Sequence, residues 1–373
     1  MLRALGIIIG IFFILTATAQ SPQKGAGIGM EWNGFAGKVF KHTQNFKAPV
    51  PTLTTGTELN IVWKTQGKEA WQQRRNYPTI GLGMYYVDYG YNAVYGKAFG
   101  IYPNVELPLL RGKKLEWVCR MGFGFSYLTK RYETAPAWDT INNAIGSHVN
   151  NFTLLSSTLR YRINEHWDVQ AGFSFFHASN ASLRLPNLGI NTIGGQIGLR
   201  YFPVSSQPKK IIRHLPKLKN RILWQARIGI SAIEYGTKDG PLYPIYMGSL
   251  YASKRYLSKN KLFAGIDYSY HTHIYSFQVN NEINKGNEKA HSWKSSVFIG
   301  HELLIGRFGI MMQMGMYVKQ AMLKLDPLYF KIGTNIYLLQ KEKGILKELS
   351  YAVLLKTHQF QAEYVEMGLG WGF

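Results

Sequence analysis

The sequence predicts an all-β fold: an antiparallel transmembrane β-barrel of the outer-membrane type, with roughly 14 to 16 strands. Three observations lead to this prediction. The 373 residues include 24 Tyr, 20 Phe and 38 Gly, but only 17% are charged and only one is a cysteine, Cys119. Many stretches of about 10 residues alternate between apolar and small or polar side chains, which is long enough for a tilted strand to cross a bilayer. The chain also ends in the alternating stretch EMGLGWGF.

Residues 1–19 have the pattern of a secretory signal peptide. Arg3 precedes an apolar run at 5–15, and the small residues Ala17 and Ala19 follow at the spacing of a cleavage site. The apolar run is too short for a membrane-spanning helix, and no other stretch approaches the ~18 uninterrupted apolar residues that such a helix needs. We therefore expect an exported chain, cleaved before Gln20, that has no disulfide and crosses its membrane with strands.

The stretch from Leu115 to Tyr127 shows the alternation most clearly. Its odd-numbered residues are apolar, whereas its even-numbered residues include Glu116 and Arg120 among glycines and serine. Residues 79–89 alternate in the same way, with the apolar side chains at even positions. A soluble sandwich also alternates. The long runs and the small residues of the polar face favour a narrow barrel in lipid, whose closure leaves no open strand edge.

The same alternation predicts where the strands begin. Candidate strands start near Gly29, Glu58, Thr79, Gly96, Leu115, Phe152, Trp167, Ile190, Ile222, Tyr243, Leu262, Trp293, Phe308, Tyr329, Leu349 and Gln361. Residues 135–150 (APAWDTINNAIGSHVN) lack alternation, and we expect an external loop there that has room for a short helix.

The chain looks loosely doubled. IGLRYF at 197–202 ends one half much as LGWGF ends the whole, and a polar connection, 204–220, lies between the halves. One barrel of 14–16 strands and two tandem barrels of about eight both fit this pattern. We favour the single barrel, because any two sets of hairpins show weak internal similarity. Either way, we expect a half at 20–203, a connection at 204–220 and a second half at 221–373.

The formal net charge is +22. Nucleic acid is not an expected partner of an exported chain. The basic residues crowd predicted turns, where they are either solvated or attracted to the phosphates of lipid headgroups. The alternating C-terminal strand that ends in Phe373 resembles the C-terminal signature of bacterial outer-membrane proteins, and implies handling by the outer-membrane assembly machinery.

The strand at 169–179 carries a candidate catalytic pair. Its odd-numbered residues form the apolar face, and that face ends in His177 and Ser179. Polar groups on a lipid-facing side need an explanation. Residues i and i+2 lie about 6.6 Å apart along one face of a strand, a gap that an imidazole can bridge. A base at that distance can take the proton of a serine hydroxyl and make it a nucleophile. The spacing alone has little specificity, since such residues are also common at strand ends.

The longer stretch resembles a known active-site segment. His177-x-Ser179-Asn180, followed by Asn187-x-Gly189-Ile-Asn191, is similar to that of the PagL-type lipid A 3-O-deacylases, also called the acyloxyacyl hydrolase family. The resemblance extends from about residue 75 to residue 202. It implies an outer-membrane serine esterase that removes an ester-linked acyl chain from lipid A without a metal or other cofactor.

Within that resemblance, Ser179 matches the nucleophile, His177 the general base and Asn180 an oxyanion-hole residue. Phe175, Asn187 and Gly189 match positions that contact the substrate. The family usually has a glutamate fourteen residues after the histidine, but this sequence has Asn191 there. An amide oxygen can accept the ring N–H and fix its tautomer, but it cannot stabilise an imidazolium by charge. Three outcomes stay open: activity is reduced, another carboxylate serves, or the asparagine is sufficient.

Two other groups of residues are candidate sites. His271 and His273 have metal-ligand spacing, but a site needs a third ligand, and we expect both to be residues of the lumen. His358 occupies a comparable place in the second half, with Phe360 where a serine would be, which argues against a second site of this type. The sequence thus predicts a lipid A deacylase. The alternative is a catalytically silent barrel that acts as a channel or a structural protein.

Overall fold

The computed structural model describes residues 25–134, 141–215, 221–322, 326–359 and 361–373. The predicted signal peptide at 1–19 lies outside these residues. The first eight strands are β1 (Ile28–Val39), β2 (Thr54–Lys64), β3 (Thr79–Asp88), β4 (Lys97–Arg111), β5 (Leu115–Leu128), β6 (Val149–Arg162), β7 (Trp167–Ser179) and β8 (Ile190–Tyr201). Each strand pairs antiparallel with the next, and β8 returns to β1 with Met30 opposite Tyr201, so these eight strands form a closed barrel.

The second half repeats this arrangement. Its strands are β9 (Ile222–Glu234), β10 (Leu242–Tyr256), β11 (Asn260–His271), β12 (Trp293–Ile305), β13 (Phe308–Lys319), β14 (Leu328–Gln340), β15 (Glu348–His358) and β16 (Gln361–Gly372). Strand β16 pairs with β9, with Met367 opposite Ile230, which closes a second eight-strand barrel. The all-β fold and the strand number are confirmed, and every predicted strand start lies within a few residues of an observed one.

The preference for a single barrel is wrong, and the alternative of two tandem eight-strand barrels is what the chain forms. The reason is that both edges of the last strand of the first half are already paired. After Tyr201, β8 already has β7 on one edge and β1 on the other, so the chain has to begin a new sheet at Ile222. Alternation reports which side chains face lipid, but it does not report which strands pair.

The face assignments are confirmed. In β5, Leu115, Phe125 and Tyr127 are exposed on the outside of the barrel, whereas Glu116 and Arg120 are buried in the lumen. This division follows from the two-residue period of a strand, which sends successive side chains to opposite faces.

Buried charges fill the lumen of the first barrel. Glu31, Glu106, Arg120, Arg160 and Arg200 are each at most 3% exposed. Arg120 Nη2 lies 2.6 Å from Glu31 Oε1, Arg160 Nη2 lies 3.0 Å from Glu106 Oε1, and Arg200 Nε lies 3.2 Å from Glu31 Oε2. Each of these charges lies within 3.2 Å of an opposite charge, and this ion pairing compensates the cost of burying charge in a protein interior.

The second barrel holds a similar network. Lys331 Nζ lies 2.8 Å from Asp267 Oδ2 and 2.7 Å from Glu366 Oε2, and Arg227 Nε lies 2.9 Å from Glu366 Oε1. Next to these charges, Tyr251 belongs to an apolar cluster inside the same lumen. Both barrels are therefore packed interiors in the region of these networks.

Helices are few and short. Helix α1 (Ala70–Arg74) lies between β2 and β3, α2 (Thr272–Asn280) follows β11, and a single 3-10 turn spans Ala290–Ser292. None of the helices in the described ranges is long and apolar enough to cross a membrane. Residues 141–148, the described part of the predicted loop before β6, contain no helix, and residues 135–140 lie outside the described residues.

Candidate active site

Strand β7 places His177 and Ser179 on the outer face of the first barrel, as the alternation predicted. Phe173, on the same face, is 71% exposed, while the intervening Phe176 is 2% exposed in the lumen. Ser179 departs from a simple lipid-facing position because it is only 2% exposed. The chain that follows β7 covers the serine, so the pair lies in a partly enclosed site at the strand end.

A chain of two hydrogen bonds joins three of the predicted residues. His177 Nε2 lies 2.8 Å from Ser179 Oγ, and His177 Nδ1 lies 2.6 Å from Asn191 Oδ1. A carbonyl oxygen of an amide can only accept, so Nδ1 carries the proton and Nε2 is left to accept the serine hydroxyl. This is the tautomer that a general base for Ser179 needs.

The β7–β8 hairpin brings the distant asparagine to the histidine. Asn191 lies 14 residues after His177, but the antiparallel register places the two directly opposite each other. Residues that face each other across a pair of strands have Cβ atoms about 4.5–5.5 Å apart on the same face. Within the described residues no carboxylate contacts His177, so Asn191 is its orienting partner in the structure.

Gly189 leaves room for the imidazole. Its φ is +78°, and a Cβ built at this position would lie 2.6 Å from His177 Cε1 and 3.3 Å from Ser179 Cβ. Its backbone N–H donates to Ala144 O at 2.8 Å, which ties the β7–β8 connection to the β5–β6 connection. A side chain at position 189 would therefore displace the histidine.

Asn180 and Asn187 form a second pair beside the serine. The Asn180 backbone N–H donates to Asn187 Oδ1 at 2.9 Å, and Asn180 Nδ2 donates to Ser147 Oγ at 2.8 Å. The first bond fixes the amide of Asn187, whose Nδ2 is buried without a hydrogen-bond partner in the described part of the chain. Buried donors without partners are uncommon and call for an explanation.

Sequence reasoning missed two residues of this site. Asn151 faces Ser179 across the β6–β7 pair, and its Nδ2 lies 3.5 Å from Ser179 Oγ. Ser147 accepts the hydrogen bond from Asn180 described above. Asn151 lies in β6, and Ser147 lies in the connection between β5 and β6, which meets the β7–β8 connection again where Ile145 pairs with Asn187. The register of β6 against β7 identifies Asn151, and the contact between the β5–β6 and β7–β8 connections identifies Ser147; neither is a local pattern of the sequence.

An apolar surface lies on β7 and β8 below the histidine. Phe175 is half-buried, and its ring centroid lies 6.1 Å from that of Phe40. Ile193, its partner across the β7–β8 pair, is 50% exposed, as is expected of a side chain in contact with lipid. A substrate whose acyl chains are already in the bilayer would meet the site from this side.

The other predicted positions lie in the second barrel. His271 is fully buried at the end of β11, as expected for a residue of the lumen, and its Nε2 lies 2.9 Å from Ser269 Oγ. His273 lies on α2, where burial and then the Lys294 ammonium lower its pKa to about 4. No group of three or more potential metal ligands is found among the described residues. His358 contacts Tyr317 and Glu363, and Phe360 lies outside the described residues.

Two family models match the chain. The model described as lipid A 3-O-deacylase (PagL) matches residues 55–200. The model described as acyloxyacyl hydrolase, C-terminal domain, matches residues 221–373. The match therefore includes the second barrel, to which the sequence resemblance did not extend. No curated protein sequence matches the chain.

Solved structures match at low identity. The crystal structure of the outer membrane enzyme PagL is 15% identical, with a TM-score of 0.29, and the match covers 45% of this chain and 97% of that one. A Rhodopseudomonas blastica porin variant is 6% identical, with a TM-score of 0.17 and 93% and 99% covered. Pseudomonas aeruginosa OpdO is 8% identical, with a TM-score of 0.23 and 93% and 96% covered. These likenesses are too distant to bear on the site.

Proposed function

Because the chain belongs to the lipid A 3-O-deacylase (PagL) family, we propose that it removes an ester-linked acyl chain from lipid A by a Ser179–His177 mechanism. A lipid A 3-O-deacylase is an ester hydrolase, and the two closed antiparallel barrels are of the type found in the outer membrane. The observation that carries the mechanism is the position of His177, which bridges Ser179 Oγ and Asn191 Oδ1 on the lipid-facing side of a barrel.

The reaction follows from the tautomer. Ser179 Oγ attacks the carbonyl carbon of the ester while His177 Nε2 takes the hydroxyl proton. The tetrahedral intermediate collapses, and His177 returns that proton to the departing sugar oxygen. A water molecule then attacks the acyl-serine with its proton passing to His177, and the fatty acid is released as Ser179 recovers its hydrogen.

Asn180 and Asn187 supply the stabilisation of the oxyanion. The Asn180 backbone, next to Ser179 in the chain, holds the amide of Asn187 in one orientation, and Asn187 Nδ2 is a buried donor without a partner among the described residues. A donor fixed in advance where negative charge develops stabilises the transition state without reorganisation. Phe175 and the apolar surface around it hold the acyl chain.

The networks of buried charge favour an enzyme over the channel alternative. In both barrels, arginine or lysine side chains pair with carboxylates inside the lumen and are at most 3% exposed. A conducting barrel instead keeps a water-filled interior.

The test compares the lipid A of cells that express the wild-type chain or Ser179→Ala in the outer membrane. We expect mass spectrometry to show lipid A that has lost one acyl chain with the wild type, and at least a thousandfold slower loss with Ser179→Ala. Ser156→Ala is the matched control, because this buried serine faces the lumen of the same barrel. Identical lipid A from wild type and Ser179→Ala, together with ion conductance in planar bilayers, would instead support a channel.

A further inference from the structure

The loop that carries the active-site residues from β7 to β8 is held in place by the second barrel. This active-site loop, residues 181–186, connects Ser179 and Asn180 to Asn187. Ala181 and Ser182 both have positive φ, 53° and 65°. Non-glycine residues persist in this conformation only where the surroundings impose it. The surroundings here are largely residues of the second barrel.

Glu234, the last residue of β9, makes most of these contacts. Its Oε2 accepts the Leu185 backbone N–H at 2.6 Å, and its Oε1 accepts Arg184 Nη1 at 3.0 Å. Its own backbone N–H donates to Ser182 O at 3.2 Å. Ser182 Oγ also donates to Ala362 O, in β16, at 3.1 Å. The side chain of Glu234 is fully buried, so its charge is directed at the loop and away from solvent.

The connection between β9 and β10 reaches the other segment of the site. Lys238 Nζ lies 3.7 Å from the centre of the Tyr132 ring, and Thr134 Oγ1 donates to Asp239 Oδ2. Tyr132 belongs to the connection between β5 and β6, and its backbone N–H donates to Ile145 O. Ile145 is in turn bridged to Asn187. The second barrel thus supports both segments that meet beside Ser179.

We propose that Glu234 is a positioning residue of the first barrel's active site, and that the second barrel completes this site by supplying it. The inference rests on the proposed function. Glu234 fixes Ser182, Arg184 and Leu185. Because Asn187 and Gly189 follow Leu185 by only a few residues, this anchor also fixes the position of Asn187 and the packing of Gly189 against His177. Without the carboxylate, the loop relaxes and the serine, histidine and oxyanion donor lose their alignment.

A purely structural role for Glu234 would be to join the two barrels. The chain offers a matched control for that role at the opposite end of the barrels. There Arg75, after α1, donates to Lys259 O at 2.6 Å and to Leu304 O at 2.8 and 3.0 Å. Arg75→Ala therefore removes a comparable set of contacts between the barrels and leaves the active-site loop untouched.

The experiment uses the full chain in outer-membrane preparations, with the folded fraction measured by the heat-dependent shift in electrophoretic mobility. Steady-state kcat and KM for lipid A deacylation are measured for wild type, Glu234→Ala, Glu234→Gln and Arg75→Ala. The labelling rate of Ser179 by a small fluorophosphonate is measured in parallel. This probe reacts with Ser179 only when His177 is aligned with it, and its reaction does not depend on binding of the lipid substrate.

We expect Glu234→Ala to lower kcat by about a hundredfold, the typical cost of a misplacement of about 1 Å, with KM close to wild type and labelling slowed in parallel. Glu234→Gln keeps an acceptor for the Leu185 N–H, so its kcat should lie between those of the wild type and Glu234→Ala. This variant keeps the test decisive if Glu234→Ala does not fold. Arg75→Ala should match wild type. Activity within twofold of wild type in both folded Glu234 variants, or an equal loss in Arg75→Ala, overturns the inference. A wild-type chain that leaves lipid A intact overturns the proposed function itself.

Discussion

Asn191 is the residue at which this chain departs from the pattern that it resembles. Its Oδ1 lies 2.6 Å from His177 Nδ1 and orients the ring as a carboxylate would. What an amide lacks is the negative charge that stabilises the imidazolium formed when Ser179 loses its proton. Of the three outcomes that the sequence left open, a replacement by another carboxylate finds no support, and reduced activity and a sufficient asparagine remain. No carboxylate among the described residues contacts His177, and the asparagine supplies the orientation without the charge.

Asn191→Asp is expected to raise kcat for deacylation by about tenfold, because the isosteric carboxylate adds charge stabilisation at an unchanged distance. Initial rates on lipid A in outer-membrane preparations provide the measurement. Asn164→Asp, in the turn before β7 at the opposite end of the barrel, adds the same charge away from the site and should leave the rate unchanged. A decrease in Asn191→Asp would show that the amide itself is required.

The hairpin of β7 and β8 is the element that assembles the site. It places His177 opposite Asn191, and its connection turns back through Gly189 against the imidazole. Alternation alone predicted the outer face of His177 and Ser179. The burial of Ser179 depends instead on the connection, whose irregular path has no periodic signal in the sequence.

Gly189→Ala is expected to lower kcat by about a hundredfold, because a Cβ 2.6 Å from His177 Cε1 displaces the ring from Ser179. The comparison is with Gly195→Ala on β8, where a Cβ would meet nothing closer than 4.0 Å. Deacylation rates per folded molecule test this directly. Equal activity in the two variants would mean that the imidazole is free to move without loss.

At the scale of the whole molecule, the charge networks in the lumens stabilise the barrels, whereas the proposed catalytic residues lie on the outer face of the first barrel. Arg120, 2% exposed, holds Glu31 at 2.6 Å and Glu58 at 2.5 Å in the lumen of the first barrel. His177 lies on the opposite, outward face of the barrel wall. Stability and activity should therefore respond to different residues.

Arg120→Met is expected to lower the free energy of unfolding by about 3–5 kcal/mol, because it leaves buried carboxylates without a compensating charge. Denaturant titration of the refolded protein, followed by electrophoretic mobility, measures this change. Lys285→Met, which removes an exposed ion pair to Glu282, should cost less than about 1 kcal/mol. Activity per folded molecule should stay at the wild-type level in both, and an Arg120→Met variant as stable as wild type would contradict the role of the network.

The sequence by itself determined the strands and their lipid-facing sides, because strand periodicity is a local property of the chain. It predicted His177, Ser179 and Asn191 as site residues through the resemblance of one segment to a known active-site segment. It did not determine that β8 closes on β1 and β16 on β9, since pairing partners are far apart in sequence. For the same reason it did not reveal Asn151 beside the serine or Glu234 against the active-site loop. The Asn151 contact exists only once β6 pairs with β7, and the Glu234 contacts exist only once two closed barrels lie side by side, because pairing and closure decide which distant residues become neighbours.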